Sequence, residues 1–442
     1  MFSRKQLIRL IIPLMIEQIL AVTVGMAGMV MVASAGEAAV SGVSLVDTLN
    51  LLLISLFAAL ATGGAVVSAQ YLGHKELQMA CKSANQLLLS ATVISLIITV
   101  ISLIANNMIL KIICGNVEAE VFNNARKYFY ITALSFPFLA IYNSCAALFR
   151  AMGNSRISMK VSLIMNVINI IGNAILVFGF HLGVVGVAIP ALVSRAVAAV
   201  IIFSLISSKE YPIHVGHIFH LGYDWAMIKR ILNIGIPNGL ENSLFQIGKI
   251  LVQGIVAGFG TSAITANAVA STIASFENIP GTAIGLAMIT IVGQCIGAND
   301  HQQAKEYTVK LMKITHLIMF AVSLTVVLFR VPIVSIYQIS QGTSSIAIQL
   351  IVYHSICSVF IWPSSFALPN ALRAANDVRF TMIIAIISMW VWRIGFSYIL
   401  AINFDLGVLG VWIAMTVDWL FRAICFLVRF VSGKWKLHAY VG

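Results

Sequence analysis

The sequence predicts an all-α integral membrane protein of about twelve transmembrane helices, arranged as two parallel six-helix repeats. The first reason is composition: 60% of the 442 residues are hydrophobic and only 10% are charged, whereas a soluble domain carries about 25% charged residues. The second is an internal repeat at a shift of 224 residues. Two-fold repetition in a membrane protein is typical of transporters that bind substrate between the halves.

The repeat is clearest at the start of each half, where an Ile-Pro pair is followed four residues later by a glutamate. Pro13 and Glu17 open the first half, and Pro237 and Glu241 open the second, with a difference of 224 in both cases. Further positions match at the same shift, or at 223 near the end of the fourth segments: Gln70 and Gln294, Gly183 and Gly407, Gly186 and Gly410, and, with the slip of one residue, Arg150 and Arg373.

Each half holds roughly six apolar segments, since about 20 mostly apolar residues cross the bilayer core. In the first half they cover about residues 7–35, 43–71, two segments that end near 111 and at 150, then 157–180 and 184–207. The second half repeats this plan after the longest link of the chain. We therefore expect an N-terminal six-helix lobe at 1–207, a cytoplasmic link at 208–230 and a C-terminal six-helix lobe at 231–442.

The net charge of +12 is explained by the positive-inside rule rather than by nucleic-acid binding. Basic residues occur at the N-terminus, after every second segment and at the C-terminus, with a few exceptions such as Lys111 and Arg330. This pattern predicts a multi-pass protein with both termini in the cytoplasm. The six cysteines include no Cys-x-x-Cys pair, so we expect small core residues rather than metal ligands or disulfides.

Glu17 and Glu241 are candidate ion-coupling residues. Each lies one helical turn after a proline, which frees a backbone carbonyl one turn earlier and gives a cation two kinds of oxygen. A charged group in mid-membrane costs about 2.5–3.5 kcal/mol and needs a partner, water or a function. Because both acids lie in the first third of their segments, the alternative is an interfacial acid that faces cytoplasmic water.

Two further acids lie deep in the C-terminal half, Glu277 in the eighth segment and Asp418 in the last. Glu277 is expected to face Lys249 of the seventh segment, either as a buried ion pair or as a coupling pair that an ion or cationic substrate would break. Asp418 lies one turn before Arg422, a spacing that allows mutual neutralisation, and Arg393 offers it a second partner. Charge neutralisation and a role in a cavity both stay open.

The fifth segment carries a polar stripe with a spacing of four, three and four residues, which lies on one helical face: Ser162, Asn166, Asn169 and Asn173. We expect it to face the interior, either as hydrogen-bonding contacts between helices or as the polar wall of a substrate cavity. The repeat relates this stripe to a region of the eleventh segment. The predicted substrate-cavity residues are Asn166, Asn169, Asn173, Gln246, Lys249, Trp390 and Arg393.

The chain contains no GxSxG, HExxH or Gly-Lys-Ser/Thr motif. We therefore expect no enzyme, no cofactor and transport that runs on an ion gradient. His214, His217 and His220 recur in the central link, but without a grouped carboxylate or cysteine they predict a solvated or membrane-surface loop rather than a metal site. Asp47, near the outer end of the second segment, is expected to be solvated.

The order of these features resembles the MATE family (multidrug and toxic compound extrusion), over nearly the whole chain. The resemblance implies a V-shaped pair of six-helix bundles in a bacterial cytoplasmic membrane, which exports organic, often cationic, compounds in exchange for Na⁺ or H⁺. It is carried by the two Ile-Pro openings, Ala33–Val43, Gln70–Gly73 with its copy Gln294–Gly297, Leu148–Asn154, Asn169–Gly186 and the ending Asp418–Lys436.

The chain departs from the pattern of many bacterial members at two positions. Those members carry aspartates in the first and fifth spans, where Gly28 and Asn173 stand here. Neither residue titrates, so the acids of the C-terminal half become the expected carriers of the coupling ion, and the family's common acid in the seventh span supports Glu241. The predicted ion-coupling residues are Glu241, Glu277, Asp418 and, in the N-terminal half, Glu17.

We therefore expect a cation-coupled antiporter that exports organic, cationic or amphiphilic, compounds by alternating access and functions as a monomer among membrane lipids. The alternative is a flippase for lipid or lipid-linked oligosaccharide, for which Arg195, Arg393 and Lys249 could form a basic cavity that attracts pyrophosphate. A membrane enzyme acting on lipid is less favoured, because no nucleophile and base are grouped at one interface.

Overall fold

The structure, a computed structural model, describes residues 2–34, 36–114, 118–216 and 222–439. These residues form helices joined by short links and contain no strand, which confirms the all-α prediction. Ten helices are long and apolar enough to cross a membrane, and an eleventh span forms if the bent pair Ala119–Ala133 and Phe136–Ala151 is counted as one. The helix Trp225–Ala257, of 33 residues, is long enough but is not among these apolar spans, so ten or eleven of the predicted twelve spans are found.

The first compact unit is Ser3–Gly239. Its first helix begins with a capping box, because the Ser3 hydroxyl accepts from the Gln6 backbone N–H at 3.2 Å and the Gln6 side chain accepts from the Ser3 N–H at 2.7 Å. The elements of this unit are α1 (Arg4–Ala33), α2 (Glu37–Gly73), α3 (Leu77–Ile104), α4 (Asn106–Cys114), α5 (Ala119–Ala133), α6 (Phe136–Ala151), α7 (Ser155–Ala174), the π-helix π1 (Ile175–Gly179), α8 (Val185–Ile206) and the first part of α9 (Trp225–Ala257).

The second compact unit runs from Leu240 onward and includes Phe2. Its centre is α11, in which all residues except Thr282 and Leu286 are buried. After the rest of α9, its elements are α10 (Thr261–Glu277), α11 (Ile279–Gly297), α12 (His301–Leu328), α13 (Arg330–Ser335), α14 (Gln341–Trp362), π2 (Pro363–Ala367), α15 (Leu368–Ala374), α16 (Val378–Ile387), π3 (Ser388–Gly395), α17 (Phe396–Tyr398), π4 (Ile399–Asn403), α18 (Gly407–Val431) and a 3₁₀ turn (Lys434–Leu437).

Helix α9 contributes to both units. Its first part packs on α2, where Gly63 allows close approach: a Cβ at Gly63 would lie 2.5 Å from the carbonyl oxygen of Ile231. Because of this packing, the division between the units falls inside α9, between Gly239 and Leu240, and not in the link at 208–230. The lobe ranges 1–207 and 231–442, which follow the sequence repeat, stay a prediction.

The backbone repeats as the sequence does. Gly36 and Gly260 each precede a corresponding helix with a positive φ, of 100° and 89°. The other pairs with positive φ are Lys75 and Asn299, His181 and Asp405, Gly183 and Gly407, all 224 apart, and Gly153 and Asn376, which are 223 apart. The two halves therefore turn the chain at the same places, and the slip of one residue is confirmed.

The shift between the two halves changes back from 223 to 224 residues inside the eleventh span. Segment Ser155–Gly179 has 25 residues, whereas its counterpart Val378–Asn403 has 26. The additional residue is taken up by π3, because a π-helix closes each hydrogen bond over one more residue than an α-helix. Beyond it, π1 and π4 correspond at the full shift of 224. Such π segments are frequent at functional sites, and π3 carries Arg393.

Candidate functional site

Glu241 lies one turn after Pro237 in α9 and is held by two arginines. Its Oε1 accepts from Arg373 Nη2 at 2.6 Å and from Arg422 Nη2 at 3.4 Å, and the residue is 5% exposed. Its Oε2 is buried and has no hydrogen-bond donor among the described residues. Glu241 is therefore a buried acid with one free oxygen, and the alternative of an interfacial acid in water is wrong.

Glu17 occupies the equivalent place in the first unit. Arg150 Nη1 donates to Glu17 Oε1 at 3.3 Å, and the Ser158 hydroxyl donates to Oε2 at 3.0 Å. The pair Glu17–Arg150 thus repeats Glu241–Arg373, and Glu17 too is buried. The sequence repeat relates Arg150 to Arg373, and both lie beside a polar loop. The sequence therefore did not show that their side chains contact Glu17 and Glu241.

Asp418 in α18 is fully buried and lies next to π3. Its Oδ1 accepts from the Ser388 hydroxyl at 2.5 Å, and its Oδ2 lies 3.1 Å from Arg393 Nε, as an ion pair outside hydrogen-bond geometry. The predicted second partner, Arg393, is therefore the partner found. Arg422 forms its ion pair with Glu241 rather than with Asp418, although it lies near enough for the charge of Asp418 to act on it.

Glu277 does not pair with Lys249, so that prediction is also wrong. The carboxylate instead contacts two residues of α14, His354 Nδ1 at 2.6 Å from Oε2 and the Ser355 hydroxyl at 2.5 Å from Oε1. Glu277 and His354 are 1% and 2% exposed. The sequence offered no signal for His354, since 77 residues separate the two side chains.

Aromatic rings connect these charged groups within the second unit. The guanidinium of Arg393 lies 5.1 Å from the Phe245 ring centre, and that of Arg422 lies 4.5 Å from Phe366. Phe366 stacks on Trp362 at 5.0 Å. Cation–π contacts of this kind stabilise a buried guanidinium when its carboxylate partner is shared or imperfectly aligned. The sequence did not predict this aromatic group.

The other predicted cavity residues of the second unit are less engaged. Lys249 is exposed and forms no ion pair with a carboxylate of the described residues, although its Nζ lies 6.0 Å from the Phe245 ring centre. Gln246 is half-buried, and Trp390 is 41% exposed. Neither joins the ring contacts of Arg393 or Arg422 in the part of the chain described. Their assignment to a substrate cavity stays a prediction.

The asparagine stripe of α7 bonds along its own helix. Asn173 donates to Asn169 at 3.1 Å and Asn166 donates to Ser162 at 3.5 Å. Asn166 and Asn173 are buried, and Asn173 Oδ1 is buried without a donor among the described residues. Ser162 also bonds to the Tyr142 side chain of α6, so contacts between helices and a polar wall both stay open. The role of the stripe in substrate binding stays a prediction.

Asp47 is half-buried and hydrogen-bonded within the protein, rather than a simply solvated acid as expected. Its Oδ1 accepts from the Tyr128 hydroxyl at 3.0 Å and from Asn50 at 3.3 Å. Arg195 lies near enough for its charge to act on Asp47 and donates to the Ser135 hydroxyl at 2.7 Å. The first unit therefore has a polar cluster of its own in the N-terminal part of α2.

In the part of the chain described, no three His, Cys, Asp or Glu side chains are grouped as metal ligands. His214 lies in the link, with Nδ1 3.8 Å from Cys81 Sγ. His217 and His220 lie outside the described residues. The expectation of a site without metal stays a prediction.

Known proteins match the chain along almost its full length. The MatE family model matches residues 13–175 and 237–399, two stretches with the same shift of 224. The chain is 26% identical to "Probable multidrug resistance protein NorM" of Thermotoga maritima, over 99% of the chain and 94% of that protein. It is 27% identical to "Multidrug export protein MepA" of Staphylococcus haemolyticus, over 73% of the chain and 71% of that protein.

Solved structures share the fold. "Outward-facing conformation of a multidrug resistance MATE family transporter of the MOP superfamily" superposes with a TM-score of 0.90 at 20% identity, over 97% of this chain and 95% of that chain. "Crystal structure of MATE in the bent conformation" gives 0.88, also at 20% identity, over 98% and 94%. The charged network, the repeat and these matches together show that the chain belongs to the MATE family of multi-pass multidrug efflux transporters and is not an enzyme.

Proposed function

We propose that this transporter is a cation-coupled antiporter that exports organic compounds by alternating access, with Glu241 as the principal coupling acid. The observation that carries the proposal is the position of Glu241. Two arginines hold one of its oxygens, while the other is buried and without a donor among the described residues. A proton or a sodium ion can therefore add to a carboxylate that already has bound cationic partners.

The coupling follows from competition for one negative charge. A cation that binds Glu241 weakens its attraction for Arg373 and Arg422, which lie on α15 and α18. The bound and free states then favour different positions of α9 relative to these helices. An ion shifts a conformational equilibrium only through such a difference in affinity. Glu17, Glu277 and Asp418 are the further acids through which an ion could act.

The substrate class that we propose is organic and amphiphilic, including cations. In the first unit, the asparagine stripe Asn166, Asn169 and Asn173 offers polar groups that such a compound could contact. At Gly28, also in the first unit, a Cβ would meet no atom within 4 Å, so this position has open space beside it. In the second unit, Phe245 and Phe366 offer aromatic faces beside the buried charges. Apolar walls with few polar groups are typical of small-molecule sites.

The test uses purified protein in liposomes loaded with a fluorescent organic cation. Efflux is measured under an imposed Na⁺ gradient and, separately, under an imposed pH gradient, with the membrane potential held at zero. We expect one gradient to drive efflux, and Glu241→Gln to abolish it. The matched control is Glu306→Gln, because Glu306 is an exposed glutamate of α12 that bonds only to Gln302 among the described interactions.

Gradient-driven efflux that survives Glu241→Gln would show that another acid couples transport. Efflux under neither gradient, together with binding of a lipid-linked sugar, would support the flippase instead. That alternative is less favoured by the described contacts, because Arg393 is paired with Asp418 and Arg195 is bonded to Ser135. Of these three candidates, Lys249 is then the one without a carboxylate or hydroxyl partner among the described interactions.

We further propose a monomer in a bacterial cytoplasmic membrane, with both termini in the cytoplasm. The alternation of basic links supports this orientation. Labelling of single cysteines placed in the links, from each side of intact cells, tests it. Reaction of a residue in the link at 208–230 with an impermeant reagent added outside would reverse the assignment.

A further inference from the structure

Glu277 differs from Glu241 and Asp418, two other buried acids of the second unit, in the kind of partner it has. Glu241 and Asp418 are paired with arginines, whose charge is permanent in proteins. Glu277 is paired with His354, and imidazole is the side chain whose charge changes near neutral pH. Asp377 also has a histidine beside it, His438 at 3.9 Å, but Arg429 holds it at 2.7 Å. Among the described ion pairs of this unit, Glu277 is therefore the acid paired with a histidine and with no arginine.

The charge balance of this pair changes by one proton. With a neutral imidazole and an ionised carboxylate, the pair carries one negative charge inside a fully buried site. One added proton makes the pair neutral overall, whether it rests on His354 or on Glu277. An uncompensated charge in such a place is costly, whereas a neutral hydrogen-bonded pair is tolerated. The site is therefore suited to bind and release a single proton.

The surroundings offer a sodium ion few ligands. Both carboxylate oxygens of Glu277 already accept hydrogen bonds, from His354 and Ser355. The imidazole lies edge-to-face between Trp412 and Trp419, with ring centres 5.8 and 5.5 Å away. Hard cations are held by several oxygen ligands, and indole rings provide none. A proton needs only the two groups that are present.

The fold does not require this pair. At the repeat shift of 224, Glu277 corresponds to Leu53 in the first unit. There α2 runs unbroken from Glu37 to Gly73, whereas its counterpart is interrupted at Asn278, directly after Glu277. The first unit therefore forms the corresponding part of the fold with Leu53, and not an acid, at this position. Buried ionisable residues in a membrane protein mark a function by default.

The neighbouring charged groups are engaged elsewhere. Helix α14 packs against α10, α12, α13, α18 and π2, and π2 has no titratable residue. Besides Glu277, the titratable or charged groups that these helices and α14 itself bring to this region are His316, Arg330, Tyr353, Cys357, Asp418 and Arg422. His316 Nδ1 contacts the Val359 carbonyl at 2.7 Å and Arg330 donates to the Val327 carbonyl at 2.7 Å. Asp418 and Arg422 are in ion pairs of their own.

We propose that Glu277 and His354 form a second ion-binding site of the transporter, specific for H⁺, with His354 as a coupling residue. The inference rests on the proposed antiport function and extends it, because it names the ion and a site separate from Glu241. Protons that enter this pair neutralise it, and their release restores its charge when the transporter opens to the other side.

Two measurements test the pair. The first is efflux from proteoliposomes under a pH gradient at several pH values, for wild type, Glu277→Gln and His354→Gln. We expect Glu277→Gln to lose pH-driven efflux, and His354→Gln to change its pH profile. His316→Gln is the matched control, because His316 is a half-buried histidine on the adjacent α12 with a backbone partner, and we expect the wild-type profile.

The second measurement is tryptophan fluorescence against pH, without any gradient. A cationic imidazole quenches neighbouring indoles, so protonation of His354 should dim Trp412 and Trp419. We expect a titration in wild type and in His316→Gln that disappears in His354→Gln. Should a single variant fail to fold, the double variant Glu277→Gln/His354→Gln leaves no unpaired charge and serves in its place.

The outcomes separate this inference from the proposed function. Na⁺-driven efflux, with a wild-type pH profile in His354→Gln and no fluorescence titration, would overturn the proton site but leave the antiporter standing. No efflux under any gradient would remove the antiporter, while a fluorescence titration lost in His354→Gln would still show that the pair binds a proton.

Discussion

Arg373 and Glu241 form the C-terminal copy of an ion pair that also exists in the first unit. Arg373 Nη2 lies 2.6 Å from Glu241 Oε1, and its counterpart Arg150 Nη1 lies 3.3 Å from Glu17 Oε1. The C-terminal copy is the more deeply buried, with side-chain exposures of 9% and 5% against 18% and 12%. The two units therefore contain the same kind of ion pair, buried to different depths.

Arg373→Gln should destabilise the protein strongly. It leaves Glu241 buried with Arg422 alone, at 3.4 Å, and breaking a buried ion pair by removing one partner costs about 3–5 kcal/mol. Thermal unfolding in detergent measures the loss. The double variant Arg373→Gln/Glu241→Gln should recover part of it, and a single variant as stable as wild type would contradict the buried pairing.

Arg150→Gln should cost less, since Glu17 keeps the Ser158 hydroxyl at 3.0 Å and the pair is more exposed. We expect about 1.5–3 kcal/mol, the range for a hydrogen bond to a charged group. The same unfolding experiment compares the two copies. An effect larger than that of Arg373→Gln would show that burial does not set the difference.

Gly63→Ala should disturb the contact between α2 and the start of α9. Its Cβ would lie 2.5 Å from the Ile231 carbonyl oxygen, and overpacking of this kind costs about 1–3 kcal/mol. Gly28→Ala is the control, because a Cβ there meets nothing within 4 Å. In a helix interior, alanine is more stable than glycine by about 0.5–1 kcal/mol, so the two variants should shift the melting temperature in opposite directions.

Lys249→Met should leave stability unchanged or raise it. Lys249 has no carboxylate partner among the described residues, and a lysine in mid-membrane costs about 2.5–3.5 kcal/mol on the insertion scale. Arg393→Met should be destabilising instead, because it removes the partner of the fully buried Asp418. Equal losses in both variants would mean that Lys249 also neutralises an acid.

The ion pair between Asp224, just before α9, and Lys82 of α3 should persist until strongly acidic pH. The hydrogen bond from Lys82, at 2.5 Å, and the backbone N–H of Met227 hold the pKa of Asp224 below its ordinary value. A lowered pKa means that this contribution is present above the unfolded-state value, about 3.9, and is lost as pH falls through the lower folded-state value. Asp224→Asn removes it at every pH.

Hydrogen exchange of residues 222–230, corrected for intrinsic rates, measures this contribution. We expect protection in wild type to be flat from neutral pH down to about pH 4, near the ordinary carboxyl pKa, and to be lower in Asp224→Asn throughout. A wild-type loss of protection near neutral pH would assign the contact to a histidine such as His214 instead.

The sequence predicted the repeat down to the slip of one residue. Gly36 and Gly260 cap corresponding helices, and Gly153 and Asn376 show the slip in the backbone. Such features are local, because a span is recognised by its length and apolar content and a turn by the residue that adopts a positive φ. The sequence also located Glu17 and Glu241 as acids inside apolar segments.

Tertiary structure alone decided which base each acid meets. Asp418 and Arg422 are four residues apart, yet Arg422 pairs with Glu241, 181 residues away in sequence. Glu277 pairs with His354 and not with Lys249 of the preceding helix. The physical reason is that hydrophobicity and length belong to one segment, whereas the partner of a buried charge depends on which helix faces pack together, and a membrane interior leaves each charge to find its partner among those faces.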